Sequence, residues 1–282
     1  MTIIPKQFID SVVSIGIRKG ESSEWIGTGF IVGYKEKDGP DGNSYSLYLI
    51  TNKHVASAAP HVIVRFNLKN GKVKDYDLDF TINNSNNYTP HDKGDVIACL
   101  INPKVLETDQ SEIGIISLAE NTLTVNEMEL NGISEGSIVY TLGFPLGLVE
   151  NNRKAPICRM GCLSRTFNKN DDEPYYLIDA QVFPGNSGGP VIYRPDIMSI
   201  KGTKSYSKSA LIGILYAYLP YQTKLMDVQT KQIVSIISEN SGLTKVCPVD
   251  YIKEVVEIER DRINTKPLNR RGHPNEFHRR EP

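Results

Sequence analysis

The chain has 282 residues, of which 39% are hydrophobic and 23% charged, and its formal net charge is -1. This composition is that of a globular protein, and the balanced charge gives no reason to expect a nucleic-acid partner. No run of about 18 apolar residues occurs, so we expect no membrane insertion. Residues 1–20 lack the apolar core and cleavage site of a signal peptide.

Short runs of β-branched and aromatic residues recur along the chain, separated by Gly, Asn, Asp and Pro. This pattern predicts an all-β fold rather than alternating strands and helices. The predicted strands are 12–17, 27–32, 46–51, 61–66, 76–82, 95–101, 113–118, 137–142, 191–193 and 210–218. Residues 83–93, 150–154, 168–173 and 196–209 are polar and predict loops, those at 150–154 and 168–173 near a second lobe. Apolar residues at helical spacing predict a helix over 250–258. Residues 260–282 form a basic polar tail, predicted to be disordered or a contact arm.

The four cysteines are Cys99, Cys158, Cys162 and Cys247. Cys158 and Cys162 are four apart, which would point both thiols to one face of a regular strand. A metal site would need further ligands, and no histidine is close in sequence. We therefore expect buried free thiols, no metal and no cofactor. Free thiols favour a reducing compartment, which indicates a cytoplasmic location.

Residues 184–190 (PGNSGGP) place one hydroxyl, that of Ser187, between small residues. Small neighbours let a substrate carbonyl approach a serine nucleophile closely. Glycine also lets successive backbone N–H groups converge on one point, which suits an oxyanion. The alternative is a glycine-rich turn between two strands. A nucleophilic serine would need a base elsewhere in the chain and a third group to orient that base.

Five histidines can supply a base, and two of them, His273 and His278, lie in the tail. His54 lies at the end of a predicted strand, just before small residues, where a rigid sheet would hold it. His91 lies in a polar loop and His61 opens a strand. Asp95 begins the strand 95–101, and an acid there needs hydrogen bonds if it is buried. Asp92, in the more polar loop, is the alternative partner.

The order His54, Asp95, Ser187 resembles that of trypsin-fold serine proteases, and the closest likeness is to the HtrA/Deg-type protease domain. The resemblance covers residues 10–256 and implies two packed six-stranded antiparallel β-barrels, at about 10–120 and 130–257, within a protease domain spanning 1–259. It also implies a short C-terminal helix and an active site in the cleft between the barrels. The motifs that carry the resemblance are 27–30 (GTGF), 51–55 (TNKHV), 95–98 (DVIA), 143–147 (GFPLG), 161–164 (GCLS), 179–180 with 183–190 (DA, FPGNSGGP), 213–214 (GI) and 247–252 (CPVDYI).

The resemblance also implies a role for each site residue. Ser187 is the nucleophile, His54 the general base and Asp95 the group that orients it. The backbone N–H groups of Gly185 and Ser187 would form the oxyanion hole. The substrate is a protein or peptide, cleaved by a serine endopeptidase.

Four residues are expected to line the primary specificity pocket: Gln181, Val182, Ile214 and Tyr216. Gln181 occupies the place of the aspartate of trypsin-like enzymes, so a small or medium apolar side chain is expected before the cut. Asn186, uncharged, occupies the place of the aspartate that pairs with a freed N-terminus in trypsin-like zymogens. Activation by a new N-terminus is therefore not expected.

Two alternatives stay open. The first is a catalytically silent trypsin-fold protein that binds a partner, although the intact set of His54, Asp95 and Ser187 argues against it. The second is a protease subunit activated by a partner protein in a larger assembly. HtrA-type chains usually continue into a PDZ domain, but here only about two dozen polar residues follow the predicted helix, so regulation by such a domain is not expected.

Overall fold

Two β-sheets, one formed mainly by residues 12–117 and the other by residues 138–248, dominate the fold. The computed structural model describes residues 3–39, 42–167, 175–195, 206–265 and 275–279. The predicted loops at 168–173 and 196–205 and most of the tail therefore lie outside the described residues. The all-β class predicted from the sequence is confirmed.

The strands are, in chain order, β1 (Val12–Lys19), β2 (Ser22–Gly39), β3 (Gly42–Thr51), β4 (His61–Asn67), β5 (Val73–Asp79), β6 (Thr81–Ile82), β7 (Ser85–Asn86), β8 (Thr89–Pro90), β9 (Ile97–Asn102), β10 (Ile116–Ser117), β11 (Ile138–Gly143), β12 (Ile157–Arg165), β13 (Tyr176–Asp179), β14 (Pro190–Tyr193), β15 (Ala210–Met226), β16 (Ile233–Pro248), β17 (Asn275–Glu276) and β18 (His278–Arg279). The helices are α1 (Lys6–Ser11), α2 (Lys53–Ala56), α3 (Lys104–Thr108), α4 (Val125–Leu130) and α5 (Val249–Asn264), with one 3₁₀ turn at Pro145–Gly147.

The first sheet has the order β17-β9-β3-β2-β1-β4-β5-β18, with β8 paired to β9 and β10 to β2. Its six main strands correspond to the predicted first barrel, but β9 and β5 do not pair with each other. The segment 275–279 lies between them instead, because β17 pairs with β9 and β18 pairs with β5. The first sheet is thus curled but open, unlike the closed six-stranded barrel that was expected, and the C-terminal segment pairs with both of its edges. This part of the tail is an ordered intramolecular contact.

Phe277 is the residue that fixes this segment to the sheet. Its ring is 1% exposed and packs edge-on against Phe66 and Tyr76, at centroid distances of 5.5 and 6.0 Å. The side chain of Asn275 donates to the carbonyl of Asn87 at 2.7 Å. One buried aromatic side chain therefore joins the end of the chain to the core of the first sheet.

We expect Phe277→Ala to lower the free energy of unfolding by about 3–5 kcal/mol, because it removes a buried ring and leaves a cavity. His278→Ala, an exposed change at the next residue, should alter stability by less than about 0.5 kcal/mol. Urea unfolding of both variants measures the difference. Equal stabilities would show that the segment does not contribute to the folded state in solution.

The second sheet is a closed barrel with the strand order β11-β12-β13-β16-β15-β14. Its apolar interior includes Leu163, Tyr176, Ile178, Val191 and Ile212. β15 and β16 extend well beyond the barrel as a two-stranded hairpin, whereas the sequence predicted a strand ending at 218. The sequence therefore predicted the barrel but missed the hairpin.

Helix α5 follows the second barrel but packs against strands of both lobes. It runs from Val249 to Asn264, longer than predicted. Its Glu259 is fully buried and accepts hydrogen bonds from Thr89 (2.5 Å) and Arg262 (2.6 Å). A buried carboxylate is tolerated only with such partners. The helix thus joins the two lobes.

The connection between β11 and β12 crosses to the first lobe, not the second. Lys154, predicted to lie in a surface loop near the second barrel, is 3% exposed, and its ammonium donates to the carbonyl of Asp10 at 2.8 Å. Its backbone N–H and carbonyl both bond the side chain of Asn67, at 2.7 and 2.9 Å. Burial lowers the pKa of Lys154 to about 8.

This pKa predicts a pH dependence of stability. Between about pH 8 and the ordinary lysine value of 10.5, the unfolded chain still binds the proton that the folded chain has released. The contribution of Lys154 to the free energy of unfolding should therefore rise with pH in this window, so that the wild type gains about 3 kcal/mol relative to Lys154→Met. Lys69→Met, at an exposed position, should show the same pH profile as the wild type. Parallel pH profiles for Lys154→Met and the wild type would contradict the shift.

The cysteines are all free, but only two are buried. Cys99 and Cys247 lie in the core, whereas Cys158 is exposed and Cys162 is partly exposed. The expectation of four buried thiols is therefore wrong for these two. Each strand of the barrel has one face toward the interior and one toward the outside, and the cysteines of β12 lie on the outer face. Their spacing of four residues predicted that they share a face, but it could not predict which face.

Candidate active site

His54 and Asp95 are brought together by two neighbouring strands, β3 and β9, which pair at Thr51 and Ile97. His54 lies in α2, directly after β3, and Asp95 lies just before β9. The carboxylate of Asp95 contacts Nδ1 of His54 at 2.6 Å and accepts the backbone N–H of His54 at 3.3 Å. Asn52 donates to the backbone carbonyl of Asp95 at 2.6 Å. Both oxygens of the carboxylate thus act on one histidine.

The alternative residues lie elsewhere. Asp92 is exposed, and in the described part of the chain it has no hydrogen bond to His54. His91 is buried, stacks on Tyr251 at 4.2 Å and contacts Glu254 at 2.9 Å, so it joins its loop to α5. His61 pairs with Asp79 at 2.6 Å on the outer strands β4 and β5. His278 is exposed on β18, and His273 lies outside the described residues.

The loop around Ser187 requires glycine at two positions. Gly185 and Gly188 have φ values of +94° and +86°, which side chains rarely adopt. A Cβ on Gly185 would lie 2.3 Å from the carbonyl oxygen of Phe144, and one on Gly188 would lie 2.0 Å from that of Thr28. The motif PGNSGGP is therefore a tight turn whose glycines let neighbouring backbone approach the serine.

Thr28 holds this loop to the first lobe. Its backbone N–H donates to the carbonyl of Ser187 at 2.8 Å, and its hydroxyl donates to the carbonyl of Gly185 at 2.6 Å. The same hydroxyl accepts the N–H of Phe144 at 3.1 Å. Since Thr28 is fully buried, these contacts are shielded from water. Thr28, in the motif GTGF, thus fixes the loop that carries the candidate nucleophile. The sequence did not indicate this role.

We expect Thr28→Val to lower kcat by about 10–100-fold with little change in KM, because it leaves the Gly185 carbonyl and the Phe144 N–H without the hydroxyl. Thr28→Ser keeps the hydroxyl and should retain most of the activity. Steady-state kinetics on a short peptide, with thermal unfolding of each variant, separates positioning from stability. A variant Thr28→Val that is folded and fully active would rule out this role.

Two backbone N–H groups face no protein acceptor. The carbonyl of Pro184 accepts the N–H of Leu146 at 2.6 Å. Because the carbonyl and the following N–H of a trans peptide point in opposite directions, the N–H of Gly185 points away from Leu146. Within the described residues, neither Gly185 nor Ser187 donates its N–H to another protein group. Both therefore stay available to an oxyanion.

Within the same described set, no hydrogen bond joins Ser187 to His54. In proteins without bound substrate such bonds are often long and tighten on binding. Cys247, at the end of β16 in the other lobe, is a buried free thiol. Burial raises the pKa of Cys247 to about 12, so it stays a neutral thiol.

A cavity of about 300 Å³ opens beside Ser187. Two of the four residues expected in the primary specificity pocket, Val182 and Tyr216, line this cavity. Gln181 is exposed outside it, and its carbonyl accepts a hydrogen bond from Arg159. Ile214 is fully buried in the core between the lobes. The lining residues are Val182, Phe183, Pro184, Asn186, Ser187, Leu215, Tyr216, Ala217 and Tyr218.

Among the described residues, no carboxylate lines the cavity. Asp227, at the tip of the hairpin, accepts the N–H groups of Gln229 and Thr230. Asp179 lies on β13 and does not line the cavity. Asn186 is 3% exposed, and its side-chain NH₂ has no partner in the described residues. In those residues, no group of three His, Cys, Asp or Glu side chains is placed to hold a metal ion.

The family model of the trypsin-like peptidase domain matches residues 27–195, more than half of the chain. The chain belongs to the trypsin-like peptidase family. The matched span begins at the motif GTGF, which contains Thr28, and ends just after β14. It therefore includes His54, Asp95 and Ser187, but not the cavity strand β15.

Among solved structures, the fold of this family member is similar to that of "HtrA-type protease AlgW with decapeptide". The two share 17% sequence identity, with a TM-score of 0.50 over 92% of this chain. The chain covers 66% of that protein's length, just under two thirds. The likeness confirms the predicted trypsin-like fold. A search of curated proteins finds no match.

The helices of the described residues give no candidate for crossing a bilayer: none combines the necessary length and apolarity.

Proposed function

We propose that this chain is a serine endopeptidase that hydrolyses peptide bonds through Ser187, His54 and Asp95. The observation that carries the proposal is the 2.6 Å contact between His54 and Asp95, beside a glycine turn that presents Ser187. The family membership supports it, since this fold positions such a set at the cleft between its lobes.

The chemistry follows from the role of each group. Ser187 Oγ attacks the scissile carbonyl, and Nε2 of His54 accepts the hydroxyl proton. Asp95 fixes the tautomer with the proton on Nδ1 and stabilises the imidazolium. His54 then gives its proton to the leaving amine, which departs and leaves an acyl-enzyme. Water deprotonated by His54 attacks the ester and frees Ser187.

The charge that develops on the carbonyl oxygen needs donors. The N–H groups of Gly185 and Ser187 supply them, because neither is engaged within the described protein. Loss of one such donor costs about 10²–10³ in turnover in comparable sites. Leu146 and Thr28 hold the carbonyls on either side of the Gly185 N–H, which keeps that donor from turning.

Labelling with a fluorophosphonate probe tests the proposal, because the probe reacts only with an activated serine. Wild-type protein should be labelled and Ser187→Ala should not. Absence of labelling would favour a catalytically silent binding protein. Labelling that appears only after addition of cell lysate would favour a subunit activated by a partner protein.

We further propose a cytoplasmic location for the enzyme. All four cysteines are free, and Cys158 is exposed, as a reducing compartment would allow. Fractionation of cells that express the tagged chain tests the location. Recovery from an oxidising compartment would contradict it.

A further inference from the structure

The loop of residues 91–96 connects β8 to β9 and carries Asp95. His91, its first residue, is 4% exposed, whereas the next two residues are exposed. The backbone N–H of His91 donates to the carbonyl of Val96 at 2.9 Å, which closes the loop across its base. A polar side chain is therefore buried at the start of a loop whose conformation is not dictated by a helix or a strand.

The imidazole of His91 satisfies the backbone of this loop. Its Nδ1 accepts the backbone N–H of Gly94 at 2.9 Å and that of Lys93 at 3.2 Å. A backbone N–H can only donate, so Nδ1 is the unprotonated nitrogen and the ring carries its proton on Nε2. Nε2 lies 2.9 Å from a carboxylate oxygen of Glu254 on α5 and donates to it. Both nitrogens of the ring therefore have partners, and the partners fix the tautomer.

Helix α5 holds the plane of this ring. The imidazole of His91 stacks on the ring of Tyr251, with centroids 4.2 Å apart and an interplanar angle of 21°. The ring of Tyr251 also packs edge-on against Phe167, which follows β12 of the second barrel, at a centroid distance of 6.4 Å. Because Tyr251 holds the ring plane and Glu254 holds the Nε2 end, Nδ1 is directed at the backbone of the loop. His91 is therefore oriented by α5.

Gly94 allows the loop to lie this close to α5. A Cβ on Gly94 would lie 2.5 Å from a ring carbon of Tyr251, a distance that real Cβ atoms essentially never show. Glycine is therefore required at residue 94, but it also gives the backbone more conformational freedom than any other residue. This freedom lies directly before Asp95, and the hydrogen bond from the Gly94 N–H to His91 restrains it.

Asp95 is thus held on both sides of its Cα atom. Its own carbonyl accepts the side-chain N–H of Asn52 at 2.6 Å, and the preceding peptide is held by Nδ1 of His91. Between these two anchors, the carboxylate reaches both Nδ1 of His54 at 2.6 Å and the backbone N–H of His54 at 3.3 Å. A displacement of about 1 Å in such a contact can cost about 10²-fold in rate.

We propose that His91 is a positioning residue, which sets the place of the Asp95 carboxylate against His54 through the hydrogen bond that it accepts from Gly94. The proposal rests on the proposed function and deepens it, because it assigns the geometry of the orienting carboxylate to a residue outside the set of His54, Asp95 and Ser187. His91 acts through the backbone of its loop and not on the substrate. Helix α5, which contacts both lobes, thereby acts on the candidate site.

Two substitutions at residue 91 separate the acceptor from the ring. His91→Asn brings Oδ1 close to the place of Nδ1, so it keeps the acceptor and loses the stacked ring. His91→Phe keeps a ring against Tyr251 and loses the acceptor. His61→Phe is the matched control, because His61 also pairs with a carboxylate, that of Asp79 at 2.6 Å, but on the outer strands β4 and β5.

Kinetics on a short peptide, with a melting curve for each variant, distinguishes positioning from stability. His91→Phe should lower kcat by about 10–100-fold with little change in KM, because the carboxylate is displaced while substrate binding is not touched. His91→Asn should keep kcat within about threefold of the wild type although it melts at a lower temperature, and His61→Phe should match the wild type. Equal losses of kcat for the two variants at residue 91, or a folded His91→Phe with wild-type kcat, would overturn the proposal.

Glu254 offers a second test that leaves the buried loop unchanged. Its side chain is 57% exposed, so substitutions there should not prevent folding. Glu254→Gln retains an acceptor for the Nε2–H of His91 and should keep kcat. Glu254→Ala lets the ring turn and should lower kcat by about 3–10-fold at unchanged KM. If His91→Phe does not fold, wild-type kcat in Glu254→Ala overturns the proposal.

Nuclear magnetic resonance separates this proposal from the proposed function, because it needs no turnover. In ¹⁵N spectra the ring of His91 should carry its proton on Nε2. The Nδ1 proton of His54, in its short hydrogen bond to Asp95, should give a strongly deshielded ¹H signal in the wild type and in His91→Asn, and His91→Phe should lose it. A proton on Nδ1 of His91, or an unchanged His54 signal in His91→Phe, would overturn the proposal. A wild type that shows the expected signals but is not labelled by a fluorophosphonate would support the positioning role and contradict the proposed function alone.

Discussion

Replacing Ser187 with alanine is expected to abolish peptide hydrolysis while leaving the fold intact. Ser187 is partly exposed in a turn held by backbone contacts from Thr28 and Leu215, none of which uses its hydroxyl. His54→Ala should have a similar effect, because the hydroxyl then has no base. The loss should reach about 10⁶-fold in kcat, and the double variant should lose no more than either single one, since the groups act as a unit.

Asp95→Asn tests whether Asp95 orients the imidazole of His54, because the substitution removes the charge and keeps the shape of the side chain. An amide at this place would favour the wrong tautomer of His54 and should lower kcat by about 10⁴-fold. Asp92→Asn makes the same chemical change three residues earlier, on an exposed loop, and should leave the rate unchanged. Initial rates on one short peptide compare the four single variants and the double variant. A near-normal rate for Asp95→Asn together with a loss for Asp92→Asn would transfer the orienting role to Asp92.

The residues of the candidate site could be predicted from the sequence where they lie within short sequence motifs. Ser187 lies in a turn whose glycines are dictated by contacts of its own backbone, and His54 and Asp95 flank predicted strands that pair. The role of Thr28 could not be predicted in this way. Its hydroxyl meets Gly185, 157 residues away, and nothing local in GTGF indicates that contact.

The pocket shows a different limit. Bulges in β15, between Leu215 and Ala217 and again between Tyr218 and Pro220, shift which residues face the cavity. Counting positions along a regular strand predicted that both Tyr216 and Ile214 line the cavity. The prediction holds for Tyr216, but Ile214 is buried in the core. Bulges depend on pairing with the neighbouring strand and leave no dependable local signal.

Elements outside the barrels were missed for separate reasons. Helix α4 begins with a capping box of Thr124 and Glu127, a local signal that could have predicted it. The C-terminal strands have no such signal: Phe277 is a lone aromatic in a basic tail, and its partners Phe66 and Tyr76 lie about 200 residues earlier. A hydrophobic pattern detects a strand only where several residues share its face.

The side chain before the scissile bond is expected to be apolar and of small or medium size. Side chains of this class gain about 0.8 kcal/mol for each buried CH₂ against the cavity wall. Tyr216 and Tyr218 line the cavity, whose volume is about 300 Å³. Val, Ala, Leu and Ile should therefore lead, and Phe should be a poorer fit.

Lysine and arginine should be strongly disfavoured at the same position. Their charge would lose water and meet no carboxylate, which costs several kcal/mol, or about 10³-fold in kcat/KM. Arg159 adds to this cost, because its guanidinium lies 5.2 Å from the ring of Phe183, a residue of the wall. A peptide-library profile of the wild type measures the preference directly. Ala217→Asp places a carboxylate on the wall and should raise cleavage after lysine relative to valine. Efficient cleavage after lysine or arginine by the wild type would show that an acidic group outside the observed lining reaches the cavity when substrate binds.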